Sequence, residues 1–265
     1  MGHDQDALLD LARAVAVEAA ELVRDRRRQG VEVEQTKSSP TDIVTAVDRA
    51  AEELIHERLV AARPDDGFLG EEGAARESAS GVTWVVDPID GTVNFLYGLP
   101  QYAISIAATV DGETVAGVVL NVVSGECFTA TRGGGAWCDG ERLAVRAHAP
   151  VSERLVFTGF SYERDVRARQ AQAVAAMLGR VRDVRRLGSA ALDLCFLGAG
   201  RTDAYVEEGL NPWDVAAGGL VATEAGARLE TRPGVGGKPC VVCAPADGFD
   251  EVVALAAECG FFAED

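Results

Sequence analysis

Between residues 6 and 25 the apolar positions Leu8, Leu11, Val15, Ala19 and Leu22 recur every three or four residues, the spacing of one buried helix face. RDRRRQG follows, with arginines where the helix dipole is negative and a glycine where helices stop. That basic cluster reads as a solvated helix end. A second helix is predicted from about residue 48 to 62, after the polar loop TKSSPTD at 36–42. Residues 83–86, TWVV, form an unbroken apolar run and read as a buried strand. From 102 to 146 apolar stretches are cut by Asp111-Gly112, Ser124-Gly125 and Asp139-Gly140, which predicts an antiparallel meander of hairpins. Beyond 150 the texture becomes strand–helix alternation: strands at 154–160, 203–207, 227–231 and 240–245, helices near 169–178, 189–197, from Asp214, and 249–259. Such alternation predicts a more parallel sheet covered on both faces. The chain is therefore expected to be α/β, with residues 1–150 carrying an antiparallel sheet and 151–265 a mixed one.

Composition narrows the chemistry. Of 265 residues 48% are hydrophobic and 25% charged, the balance of a folded domain rather than a disordered one. No apolar run approaches the roughly 18 residues of a membrane span, and the first residues carry no signal segment, so a cytoplasmic protein is expected. The formal charge of −17 argues against nucleic acid and membrane surfaces as partners. It also means that an anionic substrate would need bound divalent cations to cancel the local field. Six cysteines include Cys240 and Cys243 in KPCVVCAP, but on a strand positions i and i+3 diverge, so both read as core thiols. The stretch CFLGAGR places Cys195 and Arg201 at the spacing of cysteine-nucleophile phosphatases. There the cysteine should precede a helix, whereas Cys195 falls late in one, so a core thiol is expected. His3, His56 and His148 stand alone, which disfavours a histidine metal site.

The most informative stretch is WVVDPIDGTVNF, residues 84–95. Pro88 biases Asp87 to an extended backbone at the end of the strand. Asp90 suits a helix N-cap, with Gly91, Thr92 and Val93 as the first turn and their amides as an anion site. Gly91 lets an oxygen approach the backbone closely. Taken alone, the stretch has a plain capped turn as its alternative reading. GFLGEEGA places Glu71 and Glu72 between glycines, where a solvated acidic turn is the plain alternative. In GLNPWDVAAGGLVATEAG, Asp214 opens a helix of small apolar residues; it reads either as a capping acid or as a group carried inward by close packing.

Together these stretches resemble the inositol monophosphatase family of magnesium-dependent, lithium-sensitive phosphatases. WVVDPIDGTVNF (84–95) and WDVAAGGLVATEAG (213–226) match its two signatures, and KSSPTDIVTAVD, GEEG, RRLGSAALDLC and DAYVEEG fall in family order. The resemblance implies a layered αβαβα sandwich of sugar-phosphatase type and a homodimer. It implies that Glu71, Asp87 and the Ile89 carbonyl hold one Mg²⁺, that Asp87, Asp90 and Asp214 hold a second, and that a third, weaker ion lies near Glu71. Thr92 with Glu71 would orient and deprotonate the attacking water, Asp48 would support Thr92, and Lys37 would be the mobile-loop lysine near the metals. The amides of Gly91 and Thr92 would hold phosphate. Gly188, Ser189, Ala190 and Glu207 would line the polyol, with Asp90 and Asp214 bordering it. The implied reaction is hydrolysis of a phosphorylated polyol or sugar, inositol monophosphate first. Histidinol phosphate or fructose 1,6-bisphosphate is the alternative within the class, and a partner-binding protein retaining the fold the alternative outside it.

Overall fold

The structure, a computed structural model, describes residues 4–30, 33–36 and 43–263. Helix α1 (Gln5–Gln29) buries Leu8, Ala12, Val15, Ala16, Ala19, Ala20 and Val23, with Leu11 and Leu22 at the margin of that stripe. Asp4 caps it by accepting from the amides of Asp6 and Ala7. A short antiparallel ribbon follows, β1 (Val33–Thr36) and β2 (Ile43–Thr45), which no periodicity announced. Helix α2 (Ala46–Ala62) is capped by Thr45 in a reciprocal box: the Thr45 hydroxyl accepts from the amides of Val47 and Asp48, and Asp48 accepts from the amide of Thr45.

Eight strands then build one sheet: β3 (Gly67–Gly70), β4 (Ala75–Arg76), β5 (Val82–Asp90), β6 (Ala103–Val110), β7 (Glu113–Asn121), β8 (Cys127–Thr131), β9 (Gly135–Cys138) and β10 (Glu141–Arg142). Their order is β10-β9-β8-β7-β6-β5-β3-β4, with the six-residue helix α3 (Thr92–Tyr97) between β5 and β6. The meander expected over 102–146 is the run β6 to β10, antiparallel at every step. The sheet as a whole is mixed rather than purely antiparallel, because β3 and β5 are parallel neighbours. The edge strand β4 turns back along β3, and the chain crosses over residues 77–81 to re-enter the sheet in β3's direction.

The second sheet has the order β12-β11-β13-β15-β14 and is mixed, as expected. Strands β11 (Leu155–Thr158), β12 (Asp183–Arg185) and β13 (Ala204–Glu208) are parallel, while β14 (Ala227–Pro233) and β15 (Pro239–Pro245) form an antiparallel hairpin against β13. Four helices accompany it: α4 (Arg164–Leu178), α5 (Ala190–Gly198), α6 (Pro212–Glu224) and α7 (Phe249–Cys259). Three cores define five layers. Helices α1 and α2 cover one face of the first sheet. Helices α5 and α6 fill the space between the sheets. Helices α4 and α7 cover the far face of the second. Cys243 belongs to the middle core and Cys240 to the outer one, so the two thiols point to opposite faces of β15. Cys195 is buried in α5, and burial pushes its thiol well above the ordinary range. Among the described residues no helix is long and apolar enough to cross a membrane.

The middle layer depends on small side chains. Carrying a Cβ, Gly117 of β7 would meet the Ala217 Cα at 3.0 Å, and Gly218 would meet the Ala191 oxygen at 2.7 Å. Replacing either glycine would force α6 away from the sheet or from α5. This close approach brings the N-terminal end of α6 against β6, where the Ser105 hydroxyl donates to the Trp213 carbonyl at 3.3 Å.

Candidate active site

Strand β5 does not end at Asp87 as Pro88 suggested; it continues to Asp90 through a bulge. Asp87 pairs with Ser105 and Asp90 with Ala103, so three steps on β5 match two on β6. Pro88 has no N–H to give the ladder, and the Ile89 amide donates instead to Asp87 Oδ1 at 3.0 Å. The extra residue reverses the side-chain alternation. Val85 faces the middle core, yet Ile89 faces the outer one. Asp87 and Asp90 therefore open on the same cleft, although a regular strand would send them apart, as β15 does its two cysteines.

Asp214 arrives from the adjacent helical layer on the first turn of α6, its Oδ2 accepting from the Asn211 amide at 2.6 Å. One carboxylate oxygen from each of Asp87, Asp90 and Asp214 lies within 4.8 Å of the others. Asp90 is anchored through Oδ2, which accepts from the Ser189 hydroxyl at 2.6 Å and the Ala191 amide at 2.7 Å. Burial, then the charges of Glu71, Asp90 and Asp214, push Asp87 well above the usual carboxylate range. Burial and then Asp90 do the same to Asp214. Burial pushes Asp90 up to about 6, opposed by its bonds to Ser189 and Ala191. An all-oxygen set of crowded, desolvated acids is the donor set a hard divalent cation fits.

The cleft around this cluster has a volume of about 600 Å³. Glu71, Ile89, Gly91, Thr92, Gly188, Ser189, Ala190 and Glu207 line it together with the three aspartates. Glu71 also hydrogen-bonds the Asp87 carboxyl. Asp48 lies behind Thr92, whose hydroxyl sits 3.0 Å from Asp48 Oδ1 and 3.1 Å from the Ile89 carbonyl. Lys37 lies outside the described residues. The structure thus gathers Asp48 and every other residue to which the resemblance gave a role, Lys37 apart, at one cleft.

One more local expectation changes. Asp90 is the last residue of β5 rather than the N-cap of α3; Gly91 caps that helix at φ 96°. A Cβ at Gly91 would also stand 2.8 Å from the Gln101 carbonyl oxygen, so backbone packing demands the glycine. Ser189, expected along the polyol, also holds Asp90 and caps α5.

Two other supporting residues received no role from the sequence. Glu52 is buried on α2, where its carboxylate accepts from the amides of Glu72 at 2.8 Å and Ala74 at 3.0 Å and so fixes the loop carrying Glu71. Asn94 donates to the carbonyls of Gln101 at 2.7 Å and Leu187 at 2.8 Å, tying the Gly188 loop to α3. A signal for Glu52 existed: Asp48 and Glu52 are acids at i and i+4 on the face of α2 that also carries Ala51, Ile55 and Leu59.

The layered sandwich and its acidic cleft are those of a phosphoric monoester hydrolase. A family model described as the inositol monophosphatase family matches residues 4–258, and the chain belongs to that family. An inositol-1-monophosphatase SuhB of Mycobacterium tuberculosis is 47% identical over 93% of this chain and 92% of its own length. The solved structure of Mycobacterium tuberculosis SuhB superposes with a TM-score of 0.86 at 42% identity, covering 99% of this chain and 100% of that one. A protein named Nus factor SuhB, from Pasteurella multocida, is 38% identical over 83% of each chain.

Proposed function

We propose that this enzyme hydrolyses inositol monophosphate to inositol and phosphate with bound Mg²⁺. The observation that carries the reading is the convergence of Asp87 and Asp90, from a bulged strand, with Asp214 from a helix in another layer. Asp87, Asp90, Asp214, Glu71 and the Ile89 carbonyl would hold the ions, two and a weaker third. Bound there, Mg²⁺ supplies charge neutralisation and activates the nucleophile.

The remaining work falls to the chain. The Thr92 hydroxyl has one proton, and both its neighbours, Asp48 and the Ile89 carbonyl, are acceptors. Its oxygen therefore offers lone pairs to a water in the cleft, which it orients while Glu71 receives the proton. The amides of Gly91 and Thr92 would hold phosphate oxygens, and Lys37 would add positive charge from its loop. Glu207, with the wall of Gly188, Ser189 and Ala190, accepts hydroxyls of the polyol. On this reading the protein acts in the cytoplasm, and the family resemblance makes it a homodimer.

Phosphate release from inositol 1-phosphate, histidinol phosphate, fructose 1,6-bisphosphate and 3′-phosphoadenosine 5′-phosphate, with Mg²⁺ and with or without Li⁺, tests the proposal. Preferred, Li⁺-sensitive turnover of inositol 1-phosphate is expected. Preference for histidinol phosphate or the bisphosphate would move the protein to a sister activity. The Nus factor name of one relative favours a second reading, a partner-binding protein of the same fold. Absence of turnover on every ester would select it.

A further inference from the structure

Glu207 lines the cleft from β13, and how it is held involves a residue that does not. The parallel register pairs Val156 with Ala204, Phe157 with Tyr205 and Thr158 with Val206. One further step sets Gly159 beside Glu207. A Cβ on Gly159 would lie 1.9 Å from Glu207 Oε1, 2.0 Å from Cδ and 2.1 Å from Oε2. The carboxyl thus occupies the space that a side chain at 159 would need. Gly159 has no positive φ, so its backbone suits any residue and only volume demands a glycine. From the same face of β13, the fully buried Tyr205 donates its hydroxyl to Glu207 Oε2 at 2.8 Å.

We propose that Gly159 and Tyr205 form a seat that fixes the Glu207 carboxyl toward the cleft and thereby sets selectivity for polyol esters over esters whose leaving group has no hydroxyls. The proposal rests on the polyol contact assigned above to Glu207. Gly159 is a positioning residue, since it is not among those lining the cleft. Enclosure agrees with the seat: burial pushes Glu207 up to about 7, against the Tyr205 bond and the Arg186 charge.

The test compares kcat/KM on inositol 1-phosphate with kcat/KM on p-nitrophenyl phosphate for the parent, Gly159→Ala, Tyr205→Phe, Glu207→Ala and the double variant Gly159→Ala/Glu207→Ala. The ratio should fall roughly tenfold or more in Gly159→Ala and Tyr205→Phe, chiefly through a raised KM for the polyol ester. With Glu207 already removed, Gly159→Ala should change the ratio by less than about twofold. An equal loss in that background, or an unchanged ratio in Gly159→Ala while Glu207→Ala lowers it, overturns the seat. An unchanged ratio in Glu207→Ala overturns the polyol contact itself, and the seat with it. Tyr205→Phe preserves the ring, so it reads the seat even where Gly159→Ala folds poorly.

Discussion

Asp87 is buried against Glu71, Asp90 and Asp214, a position that costs stability until something positive arrives. Asp87→Asn removes the central charge of that group without changing its shape. It should lower turnover by at least about a thousandfold while the far-ultraviolet circular dichroism stays that of the parent. Near-normal turnover would exclude Asp87 as a metal ligand. The pH dependence follows from the same burial. Without metal, Asp90 rises from 3.8 to about 6 and Glu207 from 4.5 to about 7. Each binds its proton more tightly folded than unfolded, so its contribution is full below the lower value and lost as pH rises through the upper one. The melting temperature of metal-free protein should therefore fall between about pH 4.5 and 7, less steeply in Glu207→Gln. Mg²⁺ has the opposite dependence because it binds ionised carboxylates. The rise in melting temperature on adding Mg²⁺ should be larger at about pH 7.5 than at about pH 5.5 by scanning fluorimetry. Equal shifts at both would count against a carboxylate metal site.

At the scale of elements, two devices place the acids: the bulge in β5 and the close packing of α6. The second is open to direct test. Gly218→Val would press a branched side chain onto the Ala191 oxygen and the Leu194 Cβ, now 2.7 and 3.1 Å from an ideal Cβ. Overpacking of this kind costs about 1–3 kcal/mol, a fall of roughly 2–12 °C in melting temperature. Because α6 carries Asp214, turnover at a temperature where the variant is fully folded should fall as well, by roughly tenfold or more. Stability lost with turnover intact would separate the packing of α6 from the placing of Asp214. The bulge illustrates how far motif reading went: Asp87, Pro88 and Asp90 stood out as a set, but the common direction of the two aspartates depends on pairing with Ser105 and Ala103.

For the whole molecule, the net charge of −17 and an acidic cleft between two sheets pose one electrostatic problem, which cations held by the acidic cluster would solve. The exposed side chains of Tyr97, Leu99 and Val123 add apolar surface on the first half of the chain. Sedimentation equilibrium should give a mass of two copies of the 27.8 kDa chain. A monomer would remove the dimer from the proposal and leave the chemistry of the cleft untouched.

The sequence by itself determined the main helices, the hairpin meander and the core placement of Cys195, Cys240 and Cys243, while the acids were singled out by the family resemblance. The elements and the thiols depend on local spacing, and spacing is written along the chain. Strand β12 and the ribbon of β1 and β2 were illegible because three or four residues cannot show a period. The parallel pairing of β3 with β5, the flip at Ile89, the support of Glu71 by Glu52 and the Gly159–Glu207 contact were decided only by tertiary structure. Each joins groups whose separation in sequence carries no information about their distance in space.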